Sequence, residues 1–146
     1  MKTSLILFIA AAYAVTACMC EDNVHSREKR NAFQFRKMIK DRTGREPLLY
    51  NGYGCWCGLG GRGKPKDGVD RCCRSHDYCY DRLRDNGCNP VISTYTYSLS
   101  GGIVCDSSEN NSCQQGACEC DRTAAYCFAS NTFHKKYISW PNFLCR

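Results

Sequence analysis

Hydrophobic residues recur at helical spacing in three stretches of the chain, and this pattern predicts three helices. The first is a short amphipathic helix just after residue 30, with its apolar stripe at Ala32, Phe35, Met38 and Ile39. The segment 43–65 that follows is rich in glycine and proline, which predicts a loop. A small hairpin, with strands around 94–97 and 103–104, is predicted on either side of a Ser-Gly-Gly turn.

The other two predicted helices are longer and carry cysteines on their inner faces. One starts near Asp67, a good N-cap residue, and ends near Gly87, and the other runs from about Ser112 to Ser130. Their inner stripes consist of Val69, Cys72, Cys73, His76, Cys79, Tyr80 and Leu83, and of Cys113, Ala117, Cys120, Asp121, Ala124 and Phe128. Disulfide bridges are therefore expected to tie these two helices together.

The start of the chain has the pattern of a leader. Lys2 precedes an apolar run over 5–15, and small residues follow, so residues 1–20 are interpreted as a secretory signal peptide, cut after Ala17 or after Cys20. Residues 21–30 are polar, end in Lys29-Arg30, and are interpreted as a propeptide; an ordinary charged surface is the alternative. The functional domain is then 31–146, and the protein is expected to be secreted and extracellular.

Composition supports a small secreted scaffold. The 146-residue chain contains 14 cysteines, and an even number of them remain after residue 30, as a closed disulfide framework requires. The net charge of +6 invites a nucleic-acid interpretation, but an exported chain without a nucleic-acid module argues against that partner. A zinc site at the two Cys-x-Cys pairs is disfavoured because secretion favours disulfides.

Each long helix carries one ionisable residue on its inner stripe, His76 on one and Asp121 on the other. A buried carboxylate is costly unless it is paired, and the histidine of the facing helix is its natural partner. Such a pair fixes the imidazole tautomer and stabilises its cation, which suits a general base. A structural buried pair without chemistry is about equally compatible with the pattern alone.

Asp77 directly follows His76 and points about 100° away from it around the helix. The preceding loop, 53–61, is dense in glycine and contains Cys55 and Cys57, so it can turn backbone carbonyls toward that carboxylate. Carbonyls, one carboxylate and waters are ligands that calcium prefers. The alternative for the loop is a tight turn beside a disulfide.

Three segments together resemble secreted phospholipase A2. The run 72–80 (CCRSHDYCY) is similar to the active-site helix of that family, 53–61 (YGCWCGLGG) to its calcium loop, and 117–121 (ACECD) to the segment that carries its buried aspartate. The resemblance covers essentially all of 31–146. It implies a mainly α, disulfide-rich fold with an N-terminal helix, a calcium loop, two long antiparallel disulfide-linked helices and a small β-wing.

The resemblance also implies residue roles. His76 is expected to be the general base, oriented by Asp121, which Tyr80 and Tyr95 hydrogen-bond. A calcium ion is expected to bind the carboxylate of Asp77 and the carbonyls of the loop, and to hold the oxyanion together with the Gly58 N–H. The implied activity is calcium-dependent hydrolysis of the sn-2 ester of glycerophospholipids to a fatty acid and a lysophospholipid. The carbonyl ligands that the resemblance implies are those of Trp56, Gly58 and Gly60.

The disulfide pairing comes from the resemblance, because spacing alone leaves very many pairings open. The implied bridges are Cys55–Cys145, Cys57–Cys73, Cys72–Cys127, Cys79–Cys120, Cys88–Cys113 and Cys105–Cys118. Many pancreatic-type members have one more bridge, between the N-terminal helix and the β-wing, where this chain has Asp41 and Leu99. The chain therefore resembles a pancreatic-like subgroup with one bridge fewer.

The expected partner is a phospholipid membrane or micelle, with an anionic one favoured because cations and apolar residues flank the expected entrance. These are Arg36, Lys37, Lys40, Arg62, Lys64 and Lys66, with Phe33, Leu48, Leu49 and Leu59; a merely solvated basic face is the alternative. Asn110 begins a glycosylation sequon. A toxin or receptor ligand on the same scaffold, and a structural calcium-binding protein, are the other functions considered. A monomer is expected.

Overall fold

The computed structural model describes residues 31–146, so the signal peptide and propeptide predictions lie outside the described residues. Residues 31–43 are helical (α1), followed by helix α2 (Gly68–Asp85) and helix α3 (Ser112–Ala129). Strands β1 (Tyr97–Ser98) and β2 (Val104–Cys105) form an antiparallel pair in which Tyr97 lies opposite Cys105. Short 3-10 turns occur at Pro47–Tyr50, Lys135–Tyr137 and Asn142–Leu144.

The two long helices begin at the residues that the sequence predicts. The Asp67 side chain accepts the Asp70 N–H at 2.9 Å and caps α2. At α3, Asn111 and Gln114 form a capping box, in which each side chain bonds the backbone N–H of the other residue. These caps satisfy N–H groups that the first turn of a helix leaves without a partner.

Six disulfides brace the described chain and join the same pairs that the resemblance implies. Cys72 and Cys79 of α2 pair with Cys127 and Cys120 of α3. Because the earlier cysteine on one helix pairs with the later one on the other, α2 and α3 run antiparallel. His76 lies between the two bridges, so the position of its side chain is fixed on both sides.

The hairpin lies slightly later than predicted, because side chains occupy its expected first strand. The Gln114 amide donates to the Thr94 carbonyl at 2.7 Å, and the Gln34 amide donates to the Tyr95 carbonyl at 2.5 Å. These carbonyls are therefore not free for strand pairing, which starts only at Tyr97. Ala32 also differs from its prediction, since it is exposed while Met38 and Ile39 of the same stripe are buried.

No helix within residues 31–146 is long and apolar enough to cross a membrane.

The core consists of two clusters of buried side chains. One surrounds Tyr50, Val69 and Phe128 and lies beside the histidine, and the other surrounds Met38, Tyr95 and Ile103 under the hairpin. At the positions of the missing family bridge, Asp41 pairs with Arg42 at 2.7 Å and Leu99 packs against the second cluster.

Candidate active site

The structure brings His76 and Asp121 together across the interface between α2 and α3. His76 Nε2 lies 2.6 Å from Asp121 Oδ1; the aspartate side chain is fully buried and that of the histidine is 13% exposed. Because Nε2 faces the carboxylate, the neutral imidazole has its proton there, and Nδ1 remains as an acceptor. This is the arrangement that a general base requires.

Tyr80 and Tyr95 donate to the same aspartate from two sides. The Tyr80 hydroxyl donates to Asp121 Oδ1 at 2.8 Å, and the Tyr95 hydroxyl donates to Oδ2 at 2.5 Å. Burial, and after it the charge of Asp121, raises the pKa of both phenols well above their ordinary value. Both hydroxyls therefore keep their protons, and three donors offset the cost of burying the carboxylate.

Two aromatic rings fix the plane of the histidine. Phe35 of α1 stacks on His76 with a centroid distance of 4.6 Å and an interplanar angle of 11°, and the Tyr80 ring lies 4.3 Å from the imidazole. The sequence places Phe35 on an apolar stripe, but nothing in the sequence assigns it to the site. The stacking depends on α1, so this helix contributes directly to the geometry of the imidazole.

Asp77 lies against the glycine loop. A side-chain Cβ at Gly61 would come within 3.1 Å of Asp77 Oδ2. Burial raises the pKa of the Asp77 carboxyl from 3.8 to about 6, while the nearby His76 acts in the opposite direction. Among the described residues no arginine, lysine or histidine forms an ion pair with Asp77. A half-buried carboxylate without a cationic side chain suits a metal cation as its partner.

The loop contains two kinds of backbone carbonyl: some accept a hydrogen bond from a backbone N–H, and others do not. The Cys55 carbonyl accepts the Arg62 N–H at 3.1 Å, and the Cys57 carbonyl accepts the Gly52 N–H at 2.6 Å. Within 31–146, the carbonyls of Trp56, Gly58 and Gly60 accept no hydrogen bond from a backbone N–H. The Gly58 N–H donates no hydrogen bond to a backbone carbonyl there. The predicted ligand carbonyls are thus among those that remain available in the described loop, together with those of Gly54, Leu59 and Gly61.

This donor set fits calcium. It offers one carboxylate and several neutral oxygens, which match a hard cation with many oxygen ligands. The described part of the chain has no group of three or more His, Cys, Asp or Glu side chains placed to hold a metal ion. The backbone would therefore have to supply most of the ligands, and the carbonyls of the loop that accept no backbone N–H among the described residues allow this.

Asp70 holds the loop in place, and the sequence interpretation missed it. This fully buried carboxylate accepts the backbone N–H groups of Cys55, Trp56 and Lys66, each at 2.8 Å. A Cβ at Gly54 would lie 2.3 Å from the Asp70 carboxyl carbon, so only glycine allows this approach. The missed signal is helical spacing: Asp70 and Asp77 are seven residues apart on one face of α2.

Fold and site together define a disulfide-braced helical protein with a buried His–Asp pair beside a loop suited to a cation. A model of the family "Phospholipase A2" matches residues 32–138. The chain belongs to the phospholipase A2 family.

Individual relatives are about half identical to the chain. A "Basic phospholipase A2" from Porthidium ophryomegas is 54% identical over 118 residues, which cover 79% of this chain and 94% of the relative. An "Acidic phospholipase A2 PLA-1" from Eristicophis macmahoni is 52% identical, with 79% and 95% covered. A "Basic phospholipase A2 homolog" from Gloydius halys is 50% identical, with 79% and 94% covered.

Proposed function

We propose that the protein is a secreted, calcium-dependent phospholipase A2 that hydrolyses the sn-2 ester of glycerophospholipids. The observation that carries this proposal is the 2.6 Å contact between His76 Nε2 and Asp121, which leaves Nδ1 as the free basic atom. The two tyrosines that donate to Asp121 and the phenylalanine that stacks on His76 support it, because they fix the base in one orientation.

In this proposal His76 Nδ1 takes a proton from a water molecule as the water oxygen attacks the ester carbonyl carbon. Asp121 stabilises the imidazolium that forms, without becoming protonated itself. The Gly58 N–H donates to the developing oxyanion. The ester C–O bond then breaks, and the imidazolium returns its proton to the leaving glycerol oxygen.

Asp77 and the carbonyls of Trp56, Gly58 and Gly60 would hold the calcium ion. When bound, calcium would polarise the ester carbonyl and stabilise negative charge on its oxygen. Within residues 31–146 these carbonyls accept no backbone N–H and Asp77 forms no ion pair, which supports this assignment.

We further propose that an anionic phospholipid surface is the partner. Phe33, Leu48 and Leu59 are 60%, 56% and 101% exposed. Near the glycine loop, Phe143 is 73% exposed and lies in the C-terminal turn, whose carbonyls accept from Arg62 and Lys66. Apolar side chains held beside cations favour the boundary between acyl chains and anionic headgroups.

A ligand that acts mainly by binding, as a toxin or at a receptor, is the second candidate. One relative is named a phospholipase A2 "homolog" rather than a phospholipase A2, so the experiment below also tests this candidate. His76, Asp77 and Asp121 are all present here, and His76 contacts Asp121, which supports hydrolysis.

The deciding experiment measures fatty-acid release from phospholipid vesicles, with calcium and with a chelator, for the parent protein and for His76→Gln. The matched control is His134→Gln, because that histidine is exposed and lies outside the site. We expect release only with calcium, a loss of at least about a thousandfold for His76→Gln, and parent-like release for the control. Release that survives chelation or the His76 substitution contradicts the mechanism, and no release by the folded parent favours the binding candidate.

A further inference from the structure

The Cys88–Cys113 bridge differs in exposure from the other bridges of the described chain. Each of the other five contains at least one buried cysteine, whereas Cys88 and Cys113 are both partly exposed. When a disulfide opens by exchange, one sulfur leaves as a thiolate, and burial in apolar surroundings disfavours that charge. Within residues 31–146, this bridge is therefore the one in which either sulfur can leave as a thiolate close to water.

The antiparallel packing of α2 and α3 makes the two ends of this bridge electrostatically different. Cys88 follows the C-terminus of α2, and its N–H donates to the Leu83 carbonyl of the last turn at 3.0 Å. Cys113 is the second residue of α3. The N-terminus of a helix stabilises a thiolate, whereas the carbonyls at a C-terminus disfavour one. Of the two sulfurs, that of Cys113 is therefore the better leaving group.

The Ser93 hydroxyl lies beside the sulfur of Cys113. Its Oγ is 2.8 Å from the Asn89 carbonyl oxygen and 3.0 Å from Cys113 Sγ. The hydroxyl has one proton, and a disulfide sulfur is a weak acceptor, so Ser93 donates to Asn89 while the bridge is closed. A thiolate is charged and accepts more strongly, so the same proton can turn to Cys113 once the bridge opens. The hydroxyl thus favours the charge on Cys113.

We propose that Cys88–Cys113 is a site of thiol–disulfide exchange, and that Cys88 is the cysteine that takes up the incoming thiol. The reactant is a low-molecular-weight thiol of the glutathione type. Its thiolate sulfur bonds to Cys88 Sγ, the Cys88–Cys113 bond breaks, and the electron pair of that bond leaves with Cys113 Sγ. The product is a mixed disulfide at Cys88 and a thiolate at the start of α3. The exchange needs neither calcium nor a phospholipid.

Contacts beyond the bridge keep the opening local. The Gln114 amide donates to the Thr94 carbonyl at 2.7 Å, and the Gln34 amide donates to the Tyr95 carbonyl at 2.5 Å. Two other disulfides still join α2 to α3. Exchange therefore frees the segment 86–93 and leaves the helix pair in place.

The test exposes the folded protein briefly to reduced glutathione and traps free thiols with iodoacetamide. The protein is that secreted by cells that express the full 146-residue chain. The exposure is kept short, so that most molecules open no more than a single bridge. Mass spectrometry of peptides prepared without reduction then shows which bridge has opened, which cysteine carries glutathione and which carries the alkyl group.

We expect Cys88–Cys113 to open at least about ten times faster than any other bridge. Glutathione should be found on Cys88 and the alkyl group on Cys113 about three to ten times more often than the reverse. The proposal is wrong if no adduct forms, if another bridge opens first, or if the two cysteines carry glutathione equally often.

A serine pair tests the part that Ser93 plays. Ser130 is the matched control, because it also lies near a bridged cysteine but donates to the Cys127 carbonyl, at 3.0 Å, and not to a sulfur. Ser93→Ala should lower the preference for glutathione on Cys88 about two- to fivefold, and Ser130→Ala should leave it unchanged. A merely loosened loop would speed the opening without changing this preference. An unchanged preference in Ser93→Ala therefore overturns the stabilisation of Cys113 by this hydroxyl.

A second measurement tests whether the opening is local. The protein that carries glutathione on Cys88 and the alkyl group on Cys113 should still unfold cooperatively, with a Tm lower by about 8–16 °C, as expected for the loss of one bridge. Loss of cooperative unfolding would contradict a local exchange site. None of these measurements uses phospholipid hydrolysis, so they decide the proposal whether or not the proposed activity is found.

Discussion

Replacing Asp70 with asparagine should disable the glycine loop while the helices remain folded. Asp70 Oδ2 accepts the N–H groups of Cys55 and Lys66, and Oδ1 accepts that of Trp56. Asparagine has the same shape but keeps only one oxygen. In the better of its two orientations, it turns an NH2 group toward the Trp56 N–H, and that buried donor loses its acceptor.

The magnitude follows from these three bonds. A buried donor without an acceptor costs about 1–3 kcal/mol, and the two remaining bonds weaken because their acceptor is no longer charged. The sum is a loss of about 2–4 kcal/mol, or a fall in Tm of roughly 8–16 °C for a domain of this size. Because Trp56 begins the run of proposed ligand carbonyls, we also expect calcium affinity to fall about 10- to 100-fold.

The assay has two independent readouts. Thermal unfolding in the presence of a chelator reports the loss of stability without the ion, and a calorimetric titration with calcium reports the affinity. The matched control is Asp85→Asn at the far end of the same helix, because that side chain is exposed and distant from the glycine loop. The control should change calcium affinity by less than about twofold. An Asp70→Asn protein that is folded and binds calcium like the parent would refute the assignment of Asp70 to the loop.

Three further expectations follow from the structure. Tyr80 and Tyr95 have raised pKa values in the fold, so they should stabilise the protein fully below pH 10, and the stability should fall above it by about 1.4 kcal/mol per pH unit for each phenol. Urea unfolding from pH 8 to 11 tests this, and Tyr95→Phe should lower the slope by about 1.4 kcal/mol per pH unit, the contribution of one phenol. Burial also raises the pKa values of Tyr53 and Tyr97, so their contributions to the slope remain. Asn110 Nδ2 donates to the Thr96 carbonyl and to Gln115, so we expect an unmodified sequon, and a glycosidase-sensitive mass of the secreted protein would contradict this. Phe143→Ala should weaken binding to anionic vesicles about tenfold, whereas Val104→Ala, exposed on the hairpin, should not.

The regular elements could be predicted because local signals and the apolar pattern agree there. Asp67 and the residues around Ser112 combine a capping side chain with a clear helical stripe, and both helices start where expected. The hairpin could not be located as well, because side chains distant in sequence occupy the backbone at Thr94 and Tyr95. Such long-range competition leaves no trace in a local pattern of residues.

The centre of the candidate site and the two tyrosines on Asp121 could be predicted from the sequence, whereas Asp70 and Phe35, which support the site, could not. An ionisable residue on an apolar stripe is a visible exception, which is why His76 and Asp121 could be paired. In the sequence, Asp70 looks like an ordinary charged residue in the first turn of a helix. Phe35 looks like an ordinary ring on the apolar face of a helix. Their importance arises only when the loop or the first helix packs against them, so only the structure shows it.

The distribution of covalent bridges explains why non-covalent contacts of the first helix matter. All six disulfides connect residues between Cys55 and Cys145, and none of the described ones reaches α1. Yet α1 supplies the ring that stacks on His76 and the Asn31 carboxamide that contacts Tyr80. Among the described residues no disulfide ties this helix to the rigid part of the site, so its non-covalent contacts there determine how the Phe35 ring is placed. Any shift of α1 would therefore act directly on the orientation of the His76 imidazole, on which Phe35 stacks.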